Sequence, residues 1–180
     1  MQTKRREGER SLQVLNMALT ASLHSAVVRE RTLSDAAASV ARELGSFKRS
    51  HSLRRIGMVS GILGSDGQKA LRFNMGKLNS YTHILRRECD FPLFSAADIY
   101  CREFMDRFGR VGDRSEWDRF WRTVLEGGGV TDMFMAPRWR LSGGARLQRE
   151  VAMEAGMEVH NVERHRLLLR SLFGRRSDKH

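Results

Sequence analysis

The stretch Asp132-Met-Phe-Met-Ala-Pro-Arg-Trp-Arg-Leu-Ser-Gly-Gly-Ala-Arg-Leu-Gln-Arg-Glu-Val-Ala-Met-Glu-Ala-Gly-Met-Glu-Val159 decides the fold. Its apolar start, with Val130 to Ala136 as one run, reads as a buried strand. Ser142 to Ala155 has helical spacing, and Met157 to His160 reads as the next strand. Strand, short loop, helix and strand in this order form a parallel βαβ unit. The loop has chemistry of its own. Ser142 is a helix-capping residue, and Gly143 and Gly144 let backbone and ligand come close. Free N–H groups at such a helix start favour an anion, to which the Ser142 hydroxyl and the charges of Arg138 and Arg140 would add. An ordinary capped helix beside a stacked Trp139 accounts for the same residues, so the loop alone does not decide function.

Working outward, the same alternation recurs. Ile56 to Ser60 reads as a short strand ended by Ser60-Gly61 and the loop Gly64-Ser-Asp-Gly67, with a helix over Ala70 to Arg87. Phe91 to Phe94 is a second strand, followed by helices over Ala96 to Phe108 and from Ser115 onward, where Trp117, Phe120, Trp121, Val124 and Leu125 share a stripe. The expectation is an α/β fold: a small parallel sheet flanked by helices, Rossmann- or flavodoxin-like, with an N-terminal helical extension. In such sheets ligands bind outside the carboxyl ends of the strands. Those ends carry Ser60-Gly61, Ser95 to Asp98 and Pro137 to Gly144.

Ahead of this domain, Ser11 to Arg31 places Leu12, Leu15, Leu19, Leu23 and Val27 at near-helical spacing. Thr32 to Gly45 has a capping residue at one end and glycine at the other. Ser46 to Arg55 reads as a basic linker. The acidic Glu7, Glu9 and Glu30, and the lack of a small-residue cleavage site, favour a helical appendage over a targeting peptide. The chain therefore divides into a basic helical extension and linker (1–54), an α/β domain (55–160) and a basic C-terminal helix and tail (161–180), with the helix over Arg164 to Phe173.

The net charge of +11 is concentrated in the flanks. Residues 1–55 hold 11 Lys/Arg against 5 Asp/Glu and residues 160–180 hold 6 against 2, whereas 56–159 is nearly balanced at 15 against 14. Basic flanks attract nucleic-acid phosphate or anionic lipid, or stay solvated, and none of these uses involves the α/β domain itself. No run of 18 apolar residues occurs, so no membrane span is expected. Two cysteines are too few for a disulfide framework, which points to a reducing, cytoplasmic setting.

Three stretches resemble the nucleoside 2-deoxyribosyltransferase-like superfamily, including its nucleotide N-hydrolase and uncharacterised phage and bacterial branches. One is the first strand with Ser60-Gly61, then Asn74, then Leu85-Arg86 eleven residues on. Another is Phe91 to Ala97. The most specific is Asp132, Trp139, Ser142, Gly144-Ala145, Ala152 and Gly156, where the family runs Asp, apolar strand, Pro-Gly-Trp, Ser, Gly-Ala, Glu, Ala, Gly. The resemblance spans residues 55–160 and implies a nucleoside or nucleotide ligand, chemistry at the base–sugar bond with no cofactor, and self-association. In the family a glutamate three residues after the Ala of Gly-Ala attacks the anomeric carbon, the two-step logic of covalent glycosyl transfer. That position here is Gln148, an amide that can hydrogen-bond a ribose hydroxyl but forms no glycosyl ester. Glu150 is nearby, yet two residues along a helix is about 200° around it, so it faces away.

The expected site therefore comprises Ser60, Gly61, Asn74, Trp139, Ser142, Gly143 and Gly144 for substrate and phosphate. Gln148, Glu150, Asp132 and Asp98 are the candidates for chemistry. Three functions remain open: an N-glycosidase or deoxyribosyltransferase; a nucleotide-binding module without a nucleophile; and a nucleic-acid-binding protein acting through its flanks. No metal-ligand spacing unites His24, His51 and His83, and neither Cys89 nor Cys101 has a histidine close in sequence, so no metal is expected.

Overall fold

The computed structural model describes residues 2–63, 68–109 and 113–162, leaving aside the side chains of 2–7 and 68–69. The helix expected over Arg164 to Phe173 and the loop Gly64 to Gly67 lie outside the described residues. Helices α1 (Gln2–Val28) and α2 (Leu33–Ser50) precede β1 (Gly57–Ser60) and α3 (Gln68–Arg86). Next come β2 (Leu93–Ser95), α4 (Ala96–Ile99), α5 (Arg102–Phe108) and α6 (Arg114–Glu126). The chain closes with β3 (Asp132–Met135), a 3-10 turn over Trp139–Leu141, α7 (Gly143–Glu154) and β4 (Glu158–Asn161). The four strands make one all-parallel sheet in the order β2-β1-β3-β4, the Rossmann-like α/β arrangement expected from the sequence.

The connections follow from that order. After β1 the chain moves one way along the sheet to β2; after β2 and β3 it moves the other way. Right-handed crossovers then put α3 on one face and α6 and α7 on the opposite face. Capping groups start α2 at Thr32, as expected, and α6 at Asp113, ahead of the Ser115 start expected. Thr32 accepts from Asp35 N at 3.0 Å at the start of α2, and Asp113 and Glu116 form a reciprocal capping box at α6.

The N-terminal helices belong to the same core as the sheet. Leu19, Leu23 and Val27 of α1 and Val40, Leu44 and Phe47 of α2 are buried in one cluster with Met58, Phe94, Phe120, Val124 and Met133. The reason is geometric: α2 lies along α6, which itself packs on α7, and α1 lies along α2 and reaches α4 and β2. Packing therefore runs across the expected boundary at residue 54, and the expected linker is helical as far as Ser50. The Gly8–Val28 part of α1 is long and apolar enough to cross a membrane by length and composition. A core helix has the same composition, and here its Leu19, Leu23 and Val27 edge is fully buried.

A polar contact also joins α1 to the sheet. Leu93 lies on the edge strand β2. Its N–H donates to Asn16 Oδ1 at 2.8 Å, and its carbonyl accepts from Arg86 Nε at 2.9 Å. Asn16 completes its own bonding by donating to Leu12 O at 3.0 Å.

One element departs from the sequence reading. The single helix expected over Ala96 to Phe108 breaks at Tyr100 and Cys101 into α4 and α5. The break brings the Tyr100 ring among Phe104, Trp117 and Trp121, and its hydroxyl accepts from Trp121 Nε1 at 3.0 Å. Aromatic packing between distant segments outweighs helix continuity here.

Asn16→Ala is expected to cost about 1–3 kcal/mol in urea unfolding, because it orphans a buried backbone donor. The exposed Val14→Ala in the same helix should stay within about 0.5 kcal/mol of the parent.

Candidate ligand-binding cleft

The strand order reverses direction between β1 and β3, and at such a switch point the carboxyl ends splay to leave a crevice. A cleft of about 150 Å³ opens there. Gly61 and Ala136, the residues after the two strands, form its floor. One wall is α3, through Asn74, Lys77 and Tyr81, which recur on one helical face. The other wall is the turn after β3, through Pro137, Arg138 and Leu141. A Cβ at Gly61 would come 3.0 Å from Ala136 Cβ and 3.2 Å from a Leu78 methyl, so only glycine leaves the floor open without displacing neighbours. Asn74 donates to Leu63 O at 2.9 Å and so holds the chain leaving β1 against α3. Arg138 adopts a left-handed backbone, φ 66°, at the turn into the 3-10 segment.

The start of α7 lies beside this cleft. Ser142 is buried and spends its hydroxyl on capping, accepting from Ala145 N at 3.3 Å. The Arg114 guanidinium lies against Gly143 so closely that a Cβ there would clash with it, while a Cβ at Gly144 would meet Ser142 Oγ at an ordinary 3.9 Å. Trp139 is buried, with the guanidinium carbons of Arg140 and Arg149 at 4.7 and 5.3 Å from its ring. Cation–π contact and the dipole of α7 concentrate positive potential at this end of the sheet.

Gln148 is 6% exposed and its Oε1 accepts from Ser60 Oγ at 2.5 Å. The bond links α7 to the carboxyl end of β1 directly. Among the described residues Gln148 Nε2 forms no hydrogen bond, so the amide keeps its donor capacity. Gln148 and Ser60 pack next to Gly61 but do not line the cleft. Glu150 is exposed on the outer side of α7.

The two aspartates considered for chemistry are engaged elsewhere. Asp98 caps α4: its carboxylate accepts from Ser95 N at 2.7 Å, from Ser95 Oγ and Arg86 at 3.1 Å, and from Thr20 at 3.1 Å. Asp132 sits at the amino end of β3, the opposite end of the sheet from the cleft. It is 1% exposed and accepts from Arg55 Nε at 3.0 Å, from Arg55 Nη2 and from Thr131 Oγ1 at 2.7 Å, with His160 Nε2 at 3.0 Å. Burial by itself would push the Asp132 carboxyl up; the hydrogen bonds from Arg55, His160 and Thr131 and the charge of Arg55 outweigh it and hold it below the usual carboxylate range. Burial pushes the Cys89 thiol up to about 11, which disfavours the thiolate a nucleophile needs.

The structure thus brings Ser60, Gly61, Asn74, Trp139, Ser142, Gly143, Gly144 and Gln148 to one end of the sheet and leaves Asp132 and Glu150 away from it. The sequence reading missed Lys77, Tyr81 and Arg55. Lys77 and Tyr81 follow Asn74 at helical spacing, a signal available in the sequence; Arg55 carries none. No family model, curated protein or solved structure matches this chain.

Arg55→Met strands a buried carboxylate. Because Arg55 is 42% exposed, the expected loss at neutral pH is about 2–3 kcal/mol, below the ~3–5 of a fully buried pair. A depressed folded-state value stabilises above the unfolded value of about 3.9 and is lost as pH falls through the folded one. Urea midpoints of parent and variant should therefore differ at pH 7 and converge in acid below about pH 4.

Proposed function

We propose that the protein binds a nucleoside phosphate in the cleft between β1 and β3 without cleaving its base–sugar bond. The observation that carries this reading is the pairing of Gln148 with Ser60. Where the resemblance would put a nucleophilic carboxylate, a buried neutral amide is held by a hydroxyl. The described residues lining the cleft supply cations and neutral hydrogen-bonding groups, Lys77, Arg138, Asn74 and Tyr81, and no carboxylate. Such a lining suits phosphate and sugar hydroxyls and has nothing to form a glycosyl ester. The Gly144 end of α7, beside Arg114, adds a partial positive charge.

The test is a thermal-shift series with nucleoside monophosphates on the full chain, with chromatography for free base. Saturating ligand at about 100 Kd should stabilise by about 2.7 kcal/mol. Lys77→Ala should weaken binding several-fold, and no base should appear. Base release by the parent protein would overturn the proposal in favour of an N-glycosidase or deoxyribosyltransferase. Absence of binding by every nucleotide would also overturn it. Because Gln148 lies behind the cleft and does not line it, Gln148→Glu should release no base either.

A further inference from the structure

We propose that His24, Cys101 and Glu103 form a Zn2+ site that clips α1 to the segment joining β2 and α6. The fold brings His24 of α1 to Cys101 and Glu103, which are local neighbours as the cap and first turn of α5. One ligand atom from each lies within 4.8 Å of the other two, and His24 Nε2 is 3.8 Å from Glu103 Oε2. Tetrahedral zinc with ordinary bond lengths needs ligand separations of roughly 3.4–3.6 Å. A small inward turn of side chains that are 46% (His24) and 60% (Glu103) exposed reaches that spacing. The exposed side leaves a fourth position for water.

Ligand type separates this cluster from the other His-carboxylate group among the described residues. Asp132, Glu158 and His160 also converge, but Arg55 already donates to both carboxylates and fills the position a cation would take. At His24, Cys101 and Glu103 no guanidinium intervenes among the described residues, and Arg102 turns to Asp106 instead. Thiolate, imidazole and carboxylate together suit zinc and not magnesium or calcium, which take oxygen sets. Zinc binding forms the S–Zn bond and releases the thiol proton to solvent.

The site is tested on the full-length, reduced protein with Co2+ as an optical stand-in and Zn2+ as competitor. The expected result is one Co2+ per chain with a thiolate-to-cobalt charge-transfer band, displaced by Zn2+. Zn2+ should also raise the melting temperature by a few degrees, and Mg2+ should not. Cys101→Ser keeps a good helix-capping residue at that position, so it should fold, and it should lose the band. His24→Gln and Glu103→Gln should weaken binding at least tenfold, while Cys89→Ser and His160→Asn should leave it unchanged. Absence of the band in the parent protein overturns the proposal. So does a band that persists in Cys101→Ser, or one lost in Cys89→Ser.

Discussion

One guanidinium ties together two strands and the segment leading into a third at the amino end of the sheet. Arg55, immediately ahead of β1, donates to Asp132 at the start of β3 and to Glu158 at the start of β4, and lies 4.2 Å above the ring of Phe91, which leads into β2. Parallel strands have no tight hairpins to fix their register, since each neighbour arrives through a long crossover. A planar, always-charged fork that joins the starts of β3 and β4 and stacks on the residue leading into β2 supplies such a reference. With the amino end locked in this way, the carboxyl end remains free to open between β1 and β3.

The cleft inherits its chemistry from that division. At the amino end, carboxylates are consumed by arginine and histidine. At the carboxyl end, Asp98 is consumed by capping, and the groups that remain around Gly61 are Lys77, Arg138, Asn74 and Tyr81. The hydrogen bond from Ser60 to Gln148 then ties α7 to β1 behind the cleft and is neutral on both sides. Charge sorting along the strand axis thus separates what holds the sheet together from what meets a ligand.

Much of the architecture was legible in local pattern. The run Asp132 to Val159 shows its strand, capped helix and strand as apolar stretches separated by Ser142-Gly143-Gly144 and Gly156, and counting through it identifies Gln148. Asp98 illustrates a signal present but underused: Ser95 and Asp98 stand at capping-box spacing, which marks a structural carboxylate. Other features left no local trace. Nothing near Tyr100 signals a helix break, because the cause is the indole of Trp121 reached through the fold. The extent of the core was hidden for the same reason. Whether an amphipathic helix such as α1 is an appendage depends on the surface it finds, and here that surface is α2, α4 and β2. The approach of His24 to Cys101 is likewise a product of tertiary packing alone.

The bonds made by Leu93 bear on how this protein behaves when it is incomplete. An edge strand exposes backbone donors and acceptors that template pairing with another chain. On β2 the outward N–H and C=O of Leu93 are both occupied by side chains, Asn16 from α1 and Arg86 from α3. The first helix therefore serves as a guard against edge-to-edge association as well as a piece of core. Without α1 docked, the Leu93 N–H of β2 would stand open as an edge donor for another chain, while Arg86 would still cover its carbonyl.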